Sequence, residues 1–231
     1  MQTLPARFAV RAARIPMKIV VLDGDVINPG DISWEPLEKL GEVVIHGHTP
    51  EEMIVERAAG AEVLVTNKVP LRAATLSRLP GLRMVAVLAT GYDIIDTADA
   101  AAQGIPVCNV VAYGVDDVAQ HAWALLLELC RRTSEHTASV RAGEWKDTWC
   151  YWKTTPVCLR GRTLGVIGFG SIGRRVGELG HAFGMSVLAN CRTPRNPPSY
   201  SPFAFASVDQ ILQQADAISL HCCLLYTSDA A

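Results

Sequence analysis

The chain has 231 residues, 49% of them hydrophobic, with 21 Lys and Arg against 23 Asp and Glu and a formal net charge of −2. That length holds one large domain or two modest ones with apolar cores. The balanced charge, with no Lys/Arg run or basic stripe, argues against nucleic acid or an anionic membrane as partner and for a small molecule. No apolar segment approaches the ~20 residues of a bilayer span, and seven cysteines without CxxC spacing suit a reducing cytoplasm better than disulfides or zinc.

Residues 1–16 carry Arg7, Arg11 and Arg14 and no acid, and lack the continuous apolar core of a secretory signal. Two readings stay open, a transit-like presequence or a mis-called start with a disordered tail. The second is favoured, because Met17 directly precedes a clean strand, KIVVLDG. From there short β-type runs alternate with helical stretches. The pattern predicts strands at Lys18 to Asp23, Glu42 to His46, Glu62 to Thr66, Arg83 to Ala89 and Val107 to Val110. Helix-like segments fall near Pro50 to Ala59, Leu71 to Leu79 and Asp96 to Gln103. This alternation implies an α/β fold on a parallel sheet.

Open parallel sheets bind ligands at the carboxyl ends of their strands. Two such ends stand out. Asn67 and Lys68 follow VLVT, where an amide and an ammonium can hold an anion; Ala89, Thr90 and Gly91 follow MVAVL, where small residues leave backbone N–H groups open to a carboxylate. Each is also an ordinary strand exit when taken alone.

A long helix is expected from Asp116 to about Arg132, capped by Asp116 or Asp117, with Val118, Ala122, Trp123, Leu126 and Cys130 as its apolar face. His121, with no titrating partner nearby in sequence, reads as a core or interface histidine rather than a catalyst. The connector that follows is rich in aromatics (Trp145, Trp149, Tyr151, Trp152) and suits either subunit contacts or interdomain packing. Then comes RTLGVIGFGSIGRRVGELGHAFGMSVLANCR, with Gly168, Gly170 and Gly173 spaced as GxGxxG between a strand and a helix. That context makes it a nucleotide-binding fingerprint: the first glycine permits the turn, the second admits a pyrophosphate, and the third lets the helix pack on the strand.

The stretches LDGDVINPGDISW, VTNKVPL, VLATGYDIID, AYGVDDVAQHAWALLLELC, VRAGEW and LGVIGFGSIGR, running in order from Met17 to about Cys222, resemble the D-isomer-specific 2-hydroxyacid dehydrogenases, most of all their glycerate dehydrogenase (hydroxypyruvate reductase) branch. The resemblance implies a flavodoxin-like substrate domain over 17–113 and a Rossmann dinucleotide domain from Gly114 over 114–222. It implies hydride transfer between NAD(P)H and a small 2-oxo acid, hydroxypyruvate and D-glycerate first, with glyoxylate or phosphoglycerate as other substrates, in a homodimer joined through the nucleotide domains. By position, Asn67, Lys68, Ala89, Thr90 and Gly91 are expected to hold the substrate carboxylate. Gly168, Gly170, Ser171, Ile172 and Gly173 take the pyrophosphate, and Cys191, Arg192, Thr193, His221 and Cys222 the adenosine half. A different class, a non-catalytic nucleotide-sensing corepressor of the same fold, stays as the alternative.

The chain departs from the family pattern twice. Eighteen residues past Gly173 stands Cys191, where NAD enzymes carry the acid that grips the ribose 2′-hydroxyl. With Arg192, Thr193 and Arg195 following, this strand tip suits a 2′-phosphate and leans to NADP. Second, after the glycine motif the sequence offers strands only near Leu164, Val187 and Ile218, so the second half of the dinucleotide fold is expected to be absent. The family's substrate-clamping arginine, its proton-donating histidine and that histidine's carboxylate partner then lie beyond the chain, no catalytic residue is assigned in it, and it is expected to be inactive by itself. Cys223 stands where relatives have proline and Leu224 to Ala231 match nothing in the family, so residues 223–231 read as a non-native tail.

Overall fold

The computed structural model describes residues 17–222, so the expectations for 1–16 and 223–231 lie outside the described residues. The chain divides into two compact units, one ending at Val111 and the other beginning at Ala112.

In the first unit five strands, β1 (Met17–Val21), β2 (Gly41–Ile45), β3 (Val63–Thr66), β4 (Met84–Val87) and β5 (Val107–Asn109), form one parallel sheet in the order β2-β1-β3-β4-β5. That is the 2-1-3-4-5 order of the flavodoxin-like fold. Alternate side chains of β1 face opposite ways. Val20, with Leu64 and Val85 of the neighbouring strands, packs against Ile54, Leu71 and Leu76, whereas Ile19, Val21 and Val65 pack against Trp34 and Leu37. Both faces are covered, which is why these strands read as continuous apolar runs.

The helices of this unit are short: α1 (Gly24–Ile27), α2 (Glu35–Glu38), α3 (Ile54–Arg57), α4 (Ala73–Leu76) and α5 (Thr97–Ala102). The helix expected over 50–59 is a 3-10 turn, Glu51–Met53, running into α3. The one expected from Leu71 starts at Ala73, because Leu71 is drawn into a parallel bridge with Ile95.

The second unit holds α6 (Val115–Arg131), α7 (Thr133–Arg141), β6 (Thr163–Ile167), α8 (Ser171–Ala182), β7 (Ser186–Asn190), β8 (Phe203–Phe205), α9 (Val208–Gln214) and β9 (Ala217–Leu220). The sheet is parallel in the order β8-β7-β6-β9. Counted from β6 this is 3-2-1-4, the opening of a doubly wound dinucleotide fold with its switch point between β6 and β9. Trp123 of α6 is buried, stacks on Phe183 at 4.6 Å and donates from Nε1 to the Val176 carbonyl of α8 at 3.1 Å. Around Phe169 the rings of Tyr200, Phe203 and Phe205 close the other end of this core.

Several expectations are corrected here. The α6 N-cap is Gly114, with no side-chain cap; Asp116 sits inside the first turn, where its carboxylate binds the Arg175 guanidinium at 2.6 Å and still complements the dipole. Of the expected apolar face Trp123 is buried and Ala122, Leu126 and Cys130 pack against the same core, but Val118 is exposed and Ala119 takes its place. His121 is exposed on α6, not in the core. Three strands were expected from the glycine motif onward and four are present, the extra one being β8, a three-residue edge strand flanked by Pro202 and Ser207. α7 was not foreseen. It restarts the chain after Arg132 adopts a left-handed conformation, and its mostly polar sequence carries no apolar stripe. In the connector, Tyr151 Oη and Lys153 Nζ donate to Glu144 at 2.6 and 2.8 Å, while Trp149 is 97% exposed. Among the described residues no helix is long and apolar enough to cross a membrane, and no cluster of three His, Cys, Asp or Glu is placed to hold a metal.

Candidate functional site

The glycine turn links β6 to α8. Gly168 has φ +98°, a backbone conformation L side chains rarely adopt, and a Cβ there would overlap the backbone of His221 and Cys222 leaving β9. A Cβ on Gly173 would overlap the Gly168 carbonyl. Both positions are therefore filled by the protein's own backbone. Gly170 differs: it caps α8 with no side chain, and nothing lies within 4 Å of where its Cβ would be. The first intrahelical bond runs from Arg174 N to Gly170 O at 2.9 Å, which leaves the amides of Ser171, Ile172 and Gly173 without partners in the helix. On the other side the turn is tied to β7, since Gly168 N and Phe169 N both donate to Asn190 O, at 2.9 and 3.1 Å.

Over this turn opens a cleft of about 720 Å³. It brings together Gly168, Gly170, Cys191, Arg192, Thr193, His221 and Cys222 of the expected set and adds Phe169, Arg174, Arg195 and Asn196. Ser171, Ile172 and Gly173 do not line it. They form the first turn of α8, where Ile172 packs into the core and offers only its backbone. At the far end of the cleft, half-buried Cys191 directly follows β7 and the side chains of Arg192 and Arg195 are exposed. His221 shares a 2.7 Å hydrogen bond with Ser219 Oγ, and burial lowers its pKa, which keeps the imidazole neutral at pH 7.

A pyridine dinucleotide fits this arrangement. The open face of Gly170 over three unpaired amides at the positive end of a 12-residue helix suits a diphosphate. Among the described residues that line the cleft there is no carboxylate.

In the first unit the two expected anion-binding exits lie side by side, because β3 and β4 are neighbours with Thr66 opposite Val87. Asp23, two residues past the end of β1 and 1% exposed, shapes one of them. Its carboxylate accepts from the amides of Asn67 (2.9 Å), Lys68 (2.5 Å) and Val69 (3.3 Å) and lies 3.4 Å from Thr66 Oγ1. The Asn67–Lys68 loop is thereby held from below, with the Lys68 side chain exposed. The exit at Ala89, Thr90 and Gly91 is tied to β5: Thr90 Oγ1 donates to Val110 O at 3.0 Å, and Asn109 Nδ2 donates to Thr90 O at 2.8 Å. Sequence reasoning missed Asp23 and Arg174. The only signal for Asp23 is an acid ending an apolar strand, and Arg174 gives none, since its partners are 21 and 22 residues away.

The second unit thus has the strand order and glycine turn of the opening half of a dinucleotide-binding domain. The family model described as "D-isomer specific 2-hydroxyacid dehydrogenase, NAD binding domain" matches residues 123–229. A hydroxypyruvate reductase from Blautia hydrogenotrophica is 39% identical over 89% of this chain and 66% of its own length; a glycerate dehydrogenase from Methylorubrum extorquens is 41% identical over 75% and 53%. Among solved structures, a D-lactate dehydrogenase from Aquifex aeolicus complexed with NAD and lactic acid superposes with a TM-score of 0.70 at 28% identity, over 89% of this chain and 60% of that one. An acyclic imino acid reductase in complex with NADPH and D-Arg does so with a TM-score of 0.74 at 25% identity, over 89% and 65%. A relative from Haemophilus influenzae is 34% identical over 92% of this chain and 67% of its own length, and the chain belongs to the D-isomer-specific 2-hydroxyacid dehydrogenase family. It spans from 53% to 67% of the length of these relatives.

Proposed function

We propose that the chain is the substrate-loop and nucleotide-cradle portion of an NADP-preferring oxidoreductase that interconverts a small 2-oxo acid and its D-2-hydroxy acid, hydroxypyruvate and D-glycerate first. The observation that carries the reading is the asymmetry of the glycine turn: Gly168 and Gly173 are closed by protein backbone while Gly170 opens onto three unpaired amides. When bound, the pyridine dinucleotide supplies or accepts the hydride.

The protein's part is placement. The amides of Ser171, Ile172 and Gly173 take the diphosphate, Arg192, Thr193 and Arg195 take a ribose 2′-phosphate, and neutral His221 with Cys222 borders the adenosine half. Asn67, Lys68 and the Ala89, Thr90 and Gly91 exit hold the substrate carboxylate. The acid–base groups of the reaction are assigned to none of the residues in this chain. The names of the first two relatives support the substrate choice, and Cys191 in the position of the expected acid supports NADP. A second copy of the chain is the proposed partner, supported by exposed Leu125, Leu129 and Trp149 of the second unit, in a reducing cytoplasm that suits the free thiols of Cys108, Cys150 and Cys158.

Isothermal titration calorimetry of the 231-residue chain tests the cradle. Heat of binding is expected with both NADH and NADPH, the latter binding more tightly; no heat with either overturns the reading. Hydroxypyruvate reduction by this chain alone is expected to stay at the no-enzyme level.

A further inference from the structure

We propose that Arg174 is a positioning residue for cofactor selectivity: it holds the loop after β7 so that Arg192 and Arg195 are set for a ribose 2′-phosphate. This rests on the 2′-phosphate reading above. The loop over 192–198 contains Pro194, Pro197 and Pro198, which have no N–H and cannot pin the segment through their own amides. Its carbonyls are what remain to tie it down. Arg174 takes two of them: Nη1 donates to Asn196 O at 2.6 Å and Nη2 to Arg195 O at 2.9 Å. The same guanidinium lies 4.8 Å from the centroid of the Phe169 ring, in the glycine turn itself. One side chain therefore links the turn expected to carry the diphosphate to the loop expected to carry the 2′-phosphate.

Both branches of the fork donate to backbone carbonyls, so Arg174 acts through the loop, and the exposed Arg192 and Arg195 are the cations left to meet a phosphate. With Arg174 in place those cations bind from a loop already ordered. Without it, the cost of ordering the loop falls on the ligand that uses it. The 2′-phosphate is the part of the nucleotide that would draw on Arg192 and Arg195. Lysine cannot replace the fork, because an ammonium has no planar pair of donors to span two carbonyls.

The test measures dissociation constants of 2′,5′-ADP and 5′-AMP for the full chain and for Arg174→Met and Arg174→Lys. 5′-AMP serves as the internal control for folding of the cradle. The wild type is expected to favour 2′,5′-ADP, and both variants to lose at least about fivefold of that preference with 5′-AMP affinity unchanged. Amide hydrogen exchange over 192–201 is expected to quicken in both variants. If the wild type favours 2′,5′-ADP and the variants keep the same ratio, the role of Arg174 is refuted while the NADP reading stands. If the ratio falls but exchange over 192–201 is unaltered, Arg174 touches the phosphate itself and positioning is refuted. A wild type with no preference overturns the NADP reading and this inference together.

Discussion

Two loops leave the carboxyl ends of parallel strands here, and they are shaped by opposite means. The turn after β6 takes its form from side chains that are missing: at Gly168 and Gly173 backbone occupies the space a Cβ would need. The loop after β3 takes its form from a side chain that is present, the buried carboxylate of Asp23 beneath the amides of Asn67 and Lys68. The steric demands fall on two glycines within six residues and so show as glycine spacing, although the backbone opposite Gly168 comes from His221 and Cys222. A carboxylate clamp joins residues 44 and 45 apart and shows in no local pattern. The contrast also separates the effects of substitution, since removing space is costly wherever backbone lies opposite, whereas removing an acceptor costs only what the orphaned donors lose.

The largest effect is expected at Gly173. Gly173→Ala forces a methyl onto the Gly168 carbonyl, and unfolding in urea should show a loss of about 3 kcal/mol or more. Asp23→Ala comes next at about 2 kcal/mol, because it leaves two partly buried amides without an acceptor. Asp23→Asn, which keeps one acceptor oxygen, should lose roughly half of that. Gly170→Ala sharpens the comparison inside one turn. Its methyl meets open space, so stability should stay within about 0.5 kcal/mol of wild type. NADH affinity in the same variant should fall at least about tenfold, because the methyl stands where the diphosphate would lie. Equal destabilisation at 170 and 173 would break the assignment of the two glycines to separate tasks.

The smallest effect concerns pH. Tyr200, its buried hydroxyl without a partner, has its pKa pushed up to about 12, first by burial and second by the Glu178 carboxylate. The folded chain then keeps a proton that the unfolded chain releases near pH 10, so stability should decline as pH rises from about 10 towards 12. Thermal melts of Tyr200→Phe should lack that decline. His221 works at the other end. With its pKa lowered by burial, stability should decline as pH falls through about 6.5, where the unfolded imidazole takes up its proton first. His221→Asn should flatten that limb.

Much of the chain was legible beforehand because parallel strands buried on both faces are continuous runs of β-branched and apolar residues. All five strands of the first unit lie within two residues of their expected starts and ends; β1, β3 and β5 are one residue shorter than expected, β4 is three shorter, and β2 keeps its length shifted by one. Elements escaped where that signal fades. β8 is three residues, Phe203–Phe205, held by pairing with β7 and by rings packed around Phe169. α7 is polar and depends on the left-handed Arg132 before it. Asp116 shows how chemistry alone misleads at a helix start: an acid two residues into α6 suits the dipole as a cap would, but it turns to Arg175 of α8, which sequence could not place beside it.

The amino-acid sequence by itself determined the α/β class, the glycine turn with the strand and helix around it, and the neutral residue at the tip of β7. Each depends on periodicity or spacing within a single strand–turn–helix unit. Only the tertiary structure decided which glycine faces open space, which carboxylate holds the Asn67 loop, and that Arg174 reaches across to the carbonyls of Arg195 and Asn196. Those depend on atoms brought within about 3 Å of each other from residues 20 to 50 positions apart, a distance that sterics and hydrogen bonding read and local pattern does not.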